Sequence, residues 1–403
     1  MKAQPQTTNS RLKTCLSKGL LLLAALVLLE LALHLTIKRT SHVMTLLGKP
    51  WYFLIPFDVP KEMPSVDHRN GAYRRYDPIL GWTIGEGGQD PPLYFSDVSG
   101  FRIGARAYAT GGHAIHAIAE PDVVCIGDSF THGDEVKNED TWPFQLGSLL
   151  RRSVVNLGVG GYGVDQAILR YRESGLNGRI VLLGLIAGDL ERATSPIYNF
   201  TTGGLKTKPV MRFENNQITI ANQPALYGEA LRREFEHGLE SEFFRLDTEF
   251  DPRFFQRCVL DHFLLWRIPK SALVWQSRRR VPIYLSDDSR FQYSMEILQY
   301  ANELTANRQA RLIVVLLDNG NTFADRKVDK EPWRRMRSAL NVHGIRFIDT
   351  TPEIYAMYQA SRSSVINVGG VHYAPIANRK VAEIIASELS AEIWPQPLVL
   401  KDF

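Results

Sequence analysis

The sequence predicts an α/β protein built on a doubly wound, flavodoxin-like parallel sheet. Apolar, β-branched runs such as "DVVCIG" (122–127) and "RIVLLGLI" (179–186) alternate with helical stretches, the rhythm of a parallel sheet. The second run is apolar throughout, as a strand covered on both faces has to be. At 403 residues, 22% charged and 44% hydrophobic, the chain is long enough to bury a sizeable core.

The elements follow in chain order. Residues 1–18 are a short tail carrying Lys2, Arg11, Lys13 and Lys18. Residues 19–37, "GLLLLAALVLLELALHLTI", match a hydrocarbon core of about 30 Å when helical. The basic tail predicts a cytoplasmic N-terminus, a single membrane-spanning anchor, and the bulk of the chain outside the cytoplasm. The run is long for a cleaved signal peptide, and no A-x-A site follows it. Glu30 and His34 lie within it at i and i+4 on one helix face, which fits either mutual pairing or a face that meets another membrane protein. Residues 40–120, rich in Pro, Gly and aromatics, read as an irregular lead-in of turns and short strands.

The α/β domain is predicted over 121–190 and 291–395. Its strands are 122–127, 153–158, 179–186, 311–318 and 345–350. Its helices are 143–152, 164–174, 292–308, 331–342 and a last one after 373. An insertion of roughly 100 residues, 191–290, interrupts it. There "PVMRFENNQITIAN" (209–222) predicts a hairpin about Asn215–Asn216, and helical sequence fills 226–280.

Several classes of function are disfavoured. The net charge of +4 is spread along the chain, and "RRR" at 278–280 reads as a solvated face, so no nucleic-acid partner is predicted. Cys15, Cys125 and Cys258 have neither metal-ligand nor disulfide spacing, and Cys125 reads as a small core hydrophobe. His113 and His116 lack carboxylate companions. No cofactor and no metal are predicted.

Two readings compete for the chemistry. Gly158, Gly160 and Gly163 fit G-x-G-x-x-G between a strand and a helix, and Asp189 stands roughly where a ribose-binding acid belongs. That minor, dinucleotide-binding Rossmann reading leaves Ser129 and His372 unexplained. The other reading joins strand ends, where doubly wound sheets bind their ligands. Ser129 follows the first strand, Gly161 the second and Asp189 the third, while His372 precedes the last helix. Serine, histidine and a backbone N–H at a glycine suit acyl transfer.

The set resembles the SGNH, or GDSL, hydrolase superfamily, and more narrowly its membrane-anchored bacterial members. "GDSF" (127–130) resembles the nucleophile block, "NLGVGGYG" (156–163) the second block, and "HYAPIANRKVAEIIA" (372–386) the histidine block. "YDPILGW", "SDVSGFR" and "THGDEVKNEDTWP" extend the likeness, which covers roughly 74–190 and 292–390. It implies the SGNH hydrolase fold. It also implies a serine esterase or O-acyltransferase that acts on acyl esters of cell-envelope polysaccharide from the periplasmic side of a bacterial inner membrane. Ser129 is then nucleophile, His372 base and acid, the N–H groups of Ser129 and Gly161 the oxyanion site, with Asp128 and Asp189 in support. A multi-pass acyl-donating membrane protein is an implied partner for the Glu30/His34 face.

Two positions depart from the pattern. Gly188 stands where an oxyanion-donating asparagine belongs, and losing one such donor costs about 10²–10³ in rate. Gly369 stands where the aspartate that orients the histidine belongs, a loss of about 10⁴ in serine proteases. A carbonyl near Gly369 or Gly370, or Asp189, Asp318 or Asp349, are the candidate substitutes for that aspartate. A non-catalytic scaffold that binds glycan or membrane partners is the alternative these gaps leave.

Overall fold

The computed structural model describes residues 7–39, 44–46, 49–51, 71–114, 120–198, 206–214, 217–248, 251–254, 256, 258–277, 281–328 and 330–392. Helix α1 (Thr7–Thr36) contains the apolar segment Cys15–Thr36. By length and composition this segment can cross a membrane, with mean hydropathy 2.2 and none of its apolar window buried in protein.

Beyond it lies a lead-in of short antiparallel pairs, including Arg74–Asp77 against Gly81–Ile84. Asp77 closes that turn by accepting the N–H groups of Ile79 and Leu80, both at 2.8 Å.

The central sheet has five parallel strands: β1 (Val123–Gly127), β2 (Val154–Asn156), β3 (Ile180–Leu185), β4 (Arg311–Leu316) and β5 (Phe347–Asp349). Their order is β2-β1-β3-β4-β5. This is the flavodoxin-like order, whose ligand crevice opens at the carboxyl ends of β1 and β3. Strand periodicity sorts the core into two layers. Val124 and Ile126 face one side with Ile168 and Leu298, while Val123 and Cys125 face the other with Leu146 and Val381.

The helices that matter for the site are α2 (Ser129–His132), α3 (Trp142–Leu150), α4 (Val164–Ser174), α5 (Ala187–Ala193), α6 (Leu264–Ser277), α7 (Ser289–Asn307) and α8 (Pro375–Glu392). Helices α3 and α8 pack together on one face of the sheet, and α4 and α7 cover the other. Helix α3 starts at a threonine cap with Pro143 in its first turn, where the missing N–H costs nothing.

Some elements differ from the sequence reading. Helix α5 and the helices Gly320–Arg326, Thr351–Ala360 and Arg362–Val365 occupy stretches left unassigned. Three of the four have seven residues or fewer, at most two turns, too few for a helical period to stand out. In the insertion, Val210–Glu214 pairs with Gln217–Ala221 as a hairpin. Its turn at Asn215–Asn216 lies outside the described residues, as do His116 and the arginines at 278–280. Among the described residues, the stretch read as helical from 226 to 280 contains two helices, Gly228–His237 and α6, with short 3₁₀ turns between them.

Candidate active site

Strand β1 ends at Gly127, whose φ of +148° turns the chain sharply into α2. A Cβ there would strike Thr131 and the carbonyl of Gly184, so only glycine permits the turn. Asp128 caps α2 by accepting the N–H of Phe130 at 2.8 Å. Ser129 is the first residue of the helix and is buried, and its Oγ donates to Asp128 Oδ2 at 3.3 Å.

His372 stands on the same side of the sheet. Its ring packs on Phe130, the neighbour of Ser129, with centroids 5.2 Å apart. Its Nδ1 bonds Glu135 Oε1 at 2.7 Å. The Glu135 carboxylate also accepts the N–H groups of Val371 (3.2 Å) and His372 (3.3 Å). Glu135 therefore makes the carboxylate–imidazole hydrogen bond for which Gly369 has no side chain. His372 Nδ1 goes to Glu135 rather than to a carbonyl near Gly369 or Gly370, and the carboxylates expected from the sequence are engaged elsewhere: Asp318 with Arg326 and Trp333, Asp349 with Arg337 and Thr351, Asp189 with Arg192.

A carboxylate six residues after Ser129 was visible in "THGDEV", but nothing in the sequence joins it to His372. The structure holds it there by force. Glu135 has φ +71°, a conformation non-glycine residues adopt only when their surroundings demand it. Tyr94 Oη accepts its N–H at 2.8 Å. Buried Arg102 donates to the carbonyls of His132, Gly133 and Val136 around it. Burial opposes ionisation of Glu135. The His372 ring and the N–H groups of Val371 and His372 outweigh that and hold it below its ordinary value.

Among the described residues no hydrogen bond joins Ser129 to His372, and His372 Nε2 has no protein partner. The pair stands with the serine turned to Asp128 and the imidazole oriented but unengaged.

Position 188 has a cationic neighbour. Arg192 lies one helical turn on, and its Nη2 comes within 3.4 Å of where a Cβ on residue 188 would stand. Its Nη1 bonds Asp128 Oδ2 (2.9 Å), Asp189 Oδ1 (2.7 Å) and the carbonyl of Tyr162 (3.1 Å). Arg192 Nη1 and Ser129 Oγ thus share one oxygen of Asp128. Burial works against the Arg192 charge, but the two carboxylates keep it firmly protonated. Asp189 is buried beside Asp128, and both facts push its carboxyl well above the usual range. It also accepts the N–H of Ile186 at 3.0 Å. The sequence reading missed Arg192 because α5, which carries it, was not anticipated.

Gly161 has φ +84° and lies under the Tyr198 ring. Buried Trp82 packs at a tilt against Tyr198, with centroids 5.3 Å apart, and donates its indole N–H to the carbonyl of Gly160 at 3.1 Å. The same turn leaves no cradle for a dinucleotide. A Cβ at Gly158 would strike the backbone of His132, the N–H of Gly163 goes to Gln166, and Asp189 is sequestered by Arg192. The glycines serve close packing.

His132, three residues after Ser129, lies in the core, with Nδ1 2.5 Å from Asp134 and Nε2 2.6 Å from the Tyr73 hydroxyl. Burial and Arg102 push its pKa down to about 4. Asp134 reaches outward to Arg74 at 3.3 Å. His113 bonds the carbonyl of Tyr108 at 2.9 Å, and among the described residues no His, Cys, Asp and Glu cluster fit for a metal occurs.

No protein-family model and no curated protein matches this chain. Similar solved structures include a G-D-S-L-family lipolytic protein from Desulfitobacterium hafniense, at 13% identity and TM-score 0.36, covering 67% of this chain and 99% of that one. A lipase/acylhydrolase from Enterococcus faecalis is 12% identical with TM-score 0.36, covering 70% and 100%. An acetylxylan esterase from Geobacillus stearothermophilus is 12% identical with TM-score 0.34, covering 68% and 95%. At such identities the chemistry has to be read from this chain's own side chains.

Proposed function

We propose that this chain is a serine ester hydrolase of the SGNH type, anchored by α1 in a bacterial inner membrane and working on the extracytoplasmic side. The observation that carries this reading is the Glu135–His372 hydrogen bond, made by the loop that follows Ser129. A carboxylate on Nδ1 fixes the imidazole tautomer, leaves Nε2 as the base, and stabilises the imidazolium that forms.

In this mechanism Ser129 Oγ leaves Asp128 and gives its proton to His372 Nε2 as it attacks the ester carbonyl. Catalytic hydrogen bonds often tighten only when substrate is present. The tetrahedral oxyanion takes hydrogen bonds from the N–H groups of Ser129 and Gly161. Arg192 Nη2 is the third donor, in place of the side chain that Gly188 lacks. His372 then protonates the leaving alcohol, and an acyl group remains on Oγ. Water, deprotonated by His372, releases the acid and restores the serine.

Tyr198, partly exposed over Gly161, offers an aromatic face, which suits a sugar ring. O-acylated polysaccharide of the cell envelope is accordingly the substrate class we propose. A sugar hydroxyl in place of water would make the same residues an O-acyltransferase.

The test is a fluorophosphonate probe on the full-length protein in detergent, beside Ser129→Ala and His372→Ala. Labelling that disappears in both variants is expected. It would be followed by product analysis on acetylated glycans, which separates hydrolysis from transfer. Absence of labelling in folded protein would overturn the reading and favour a non-catalytic scaffold.

A further inference from the structure

The acid in the middle of the apolar helix has an unexpected partner. Glu30 Oε1 accepts the N–H of Leu264 at 2.7 Å, and Oε2 accepts the N–H of Leu265 at 2.9 Å. These are the first residues of α6. His34 completes the cluster, with Nε2 3.1 Å from Glu30. Both oxygens of Glu30 are thus engaged within this chain.

Glu30 stands six residues before Thr36, the last residue of α1, or about 9 Å down the helix at 1.5 Å per residue. The start of α6 therefore lies below the end of the spanning helix. A helix start has N–H groups without intrahelical acceptors, and without water each one is costly. A carboxylate within an apolar helix is costly too. Here each satisfies the other, and the positive end of the α6 dipole faces the negative charge.

The outer surface of α6 fits the same setting. Trp266, Pro269, Ala272 and Leu273 are exposed at i, i+3, i+6 and i+7, one helical face without a charge. Val259, Leu260 and Phe263 extend it just before the helix and are also exposed. Leu264, Arg267 and Ser271 turn inward. This apolar face continues from the exposed apolar surface of α1, which needs lipid around it.

We propose that residues 258–277 insert into the outer interfacial layer of the lipid bilayer beside α1, forming a second membrane contact that seats the domain against the surface. The inference rests on the reading that α1 spans the membrane. Trp266 then lies at the depth where tryptophan is favoured.

The test uses full-length protein in phosphatidylethanolamine/phosphatidylglycerol vesicles. In a Cys15→Ala, Cys258→Ala background, single substitutions Phe263→Cys, Leu273→Cys, Leu23→Cys and Val342→Cys carry an environment-sensitive fluorophore. All four positions are exposed in the protein, with Leu23 in the anchor and Val342 on the α/β domain. Lipids spin-labelled high in the acyl chain are expected to quench the labels at 263 and 273 several-fold more than the label at 342. Aqueous iodide is expected to quench only the label at 342.

If 263 and 273 respond to iodide as 342 does while 23 stays quenched by lipid, the anchor stands and the inference falls. If 23 is not quenched by lipid, the anchor reading falls and takes the inference with it. Labels at 263 and 273 shielded from both quenchers would mean a protein occupant and would also overturn it. Glu30→Ala is expected to speed amide exchange at 264–267 at least tenfold, with β3 unchanged; equal exchange would remove the capping role.

Discussion

Glu135 and Arg192 stand where the sequence pattern has gaps, and both can be tested one atom at a time. Glu135→Gln keeps the shape but no longer anchors the His372 tautomer, so kcat/KM on an acyl ester should fall by about 10²–10⁴ while KM changes little. Ester kinetics on the folded variant check this. The Glu135 pKa is held below its ordinary 4.5. Its contribution is therefore complete above that value and is lost as pH falls through the folded pKa. Arg192→Lys keeps the positive charge that Asp128 and Asp189 need but loses the planar fork, and kcat should drop by about 10²–10³ with the melting temperature nearly preserved. An unchanged kcat would remove Arg192 from the oxyanion site.

At the scale of elements, the insertion is fastened to the α/β domain by a buried ion pair. Lys208 Nζ lies 2.5 Å from Asp165 Oδ2 on α4, and both side chains are almost wholly buried. Burial raises the Asp165 pKa and lowers that of Lys208, so each depends on the other for its charge. Lys208→Met would leave Asp165 unpaired and should cost about 3–5 kcal/mol in urea unfolding. Adding Asp165→Asn should recover much of that loss, because no buried charge then remains. The lead-in has a comparable task. Through Arg102 and Tyr94 it grips the loop that carries Glu135, so a segment that reads as irregular orients the candidate base.

For the whole molecule, acid sensitivity follows from His132. Its ordinary pKa of 6.5 falls to about 4 in the folded state. The unfolded chain takes up a proton below 6.5 and the folded chain does not until about 4, so stability is full above 6.5 and declines between those values. Melting temperatures measured from pH 7 to pH 4 should fall across this window. His132→Gln should be less stable at pH 7 and should flatten the decline.

Much of the architecture was legible along the chain, because strands covered on both faces must be continuously apolar and helices between them must be amphipathic. "VVCIG" and "IVLLGL" declare themselves β1 and β3, and the ends of those strands locate Ser129 and Asp189. Local pattern likewise marks the apolar helix α1 and the histidine ahead of α8. What the tertiary structure alone decided is who meets whom. Glu135 reaches His372 across 237 positions, and Glu30 meets Leu264 across 234. Arg192 meets Asp128 across 64. Such pairs are chosen by how the layers pack and by where buried charges and unpaired N–H groups find relief, and neither periodicity nor spacing records that choice.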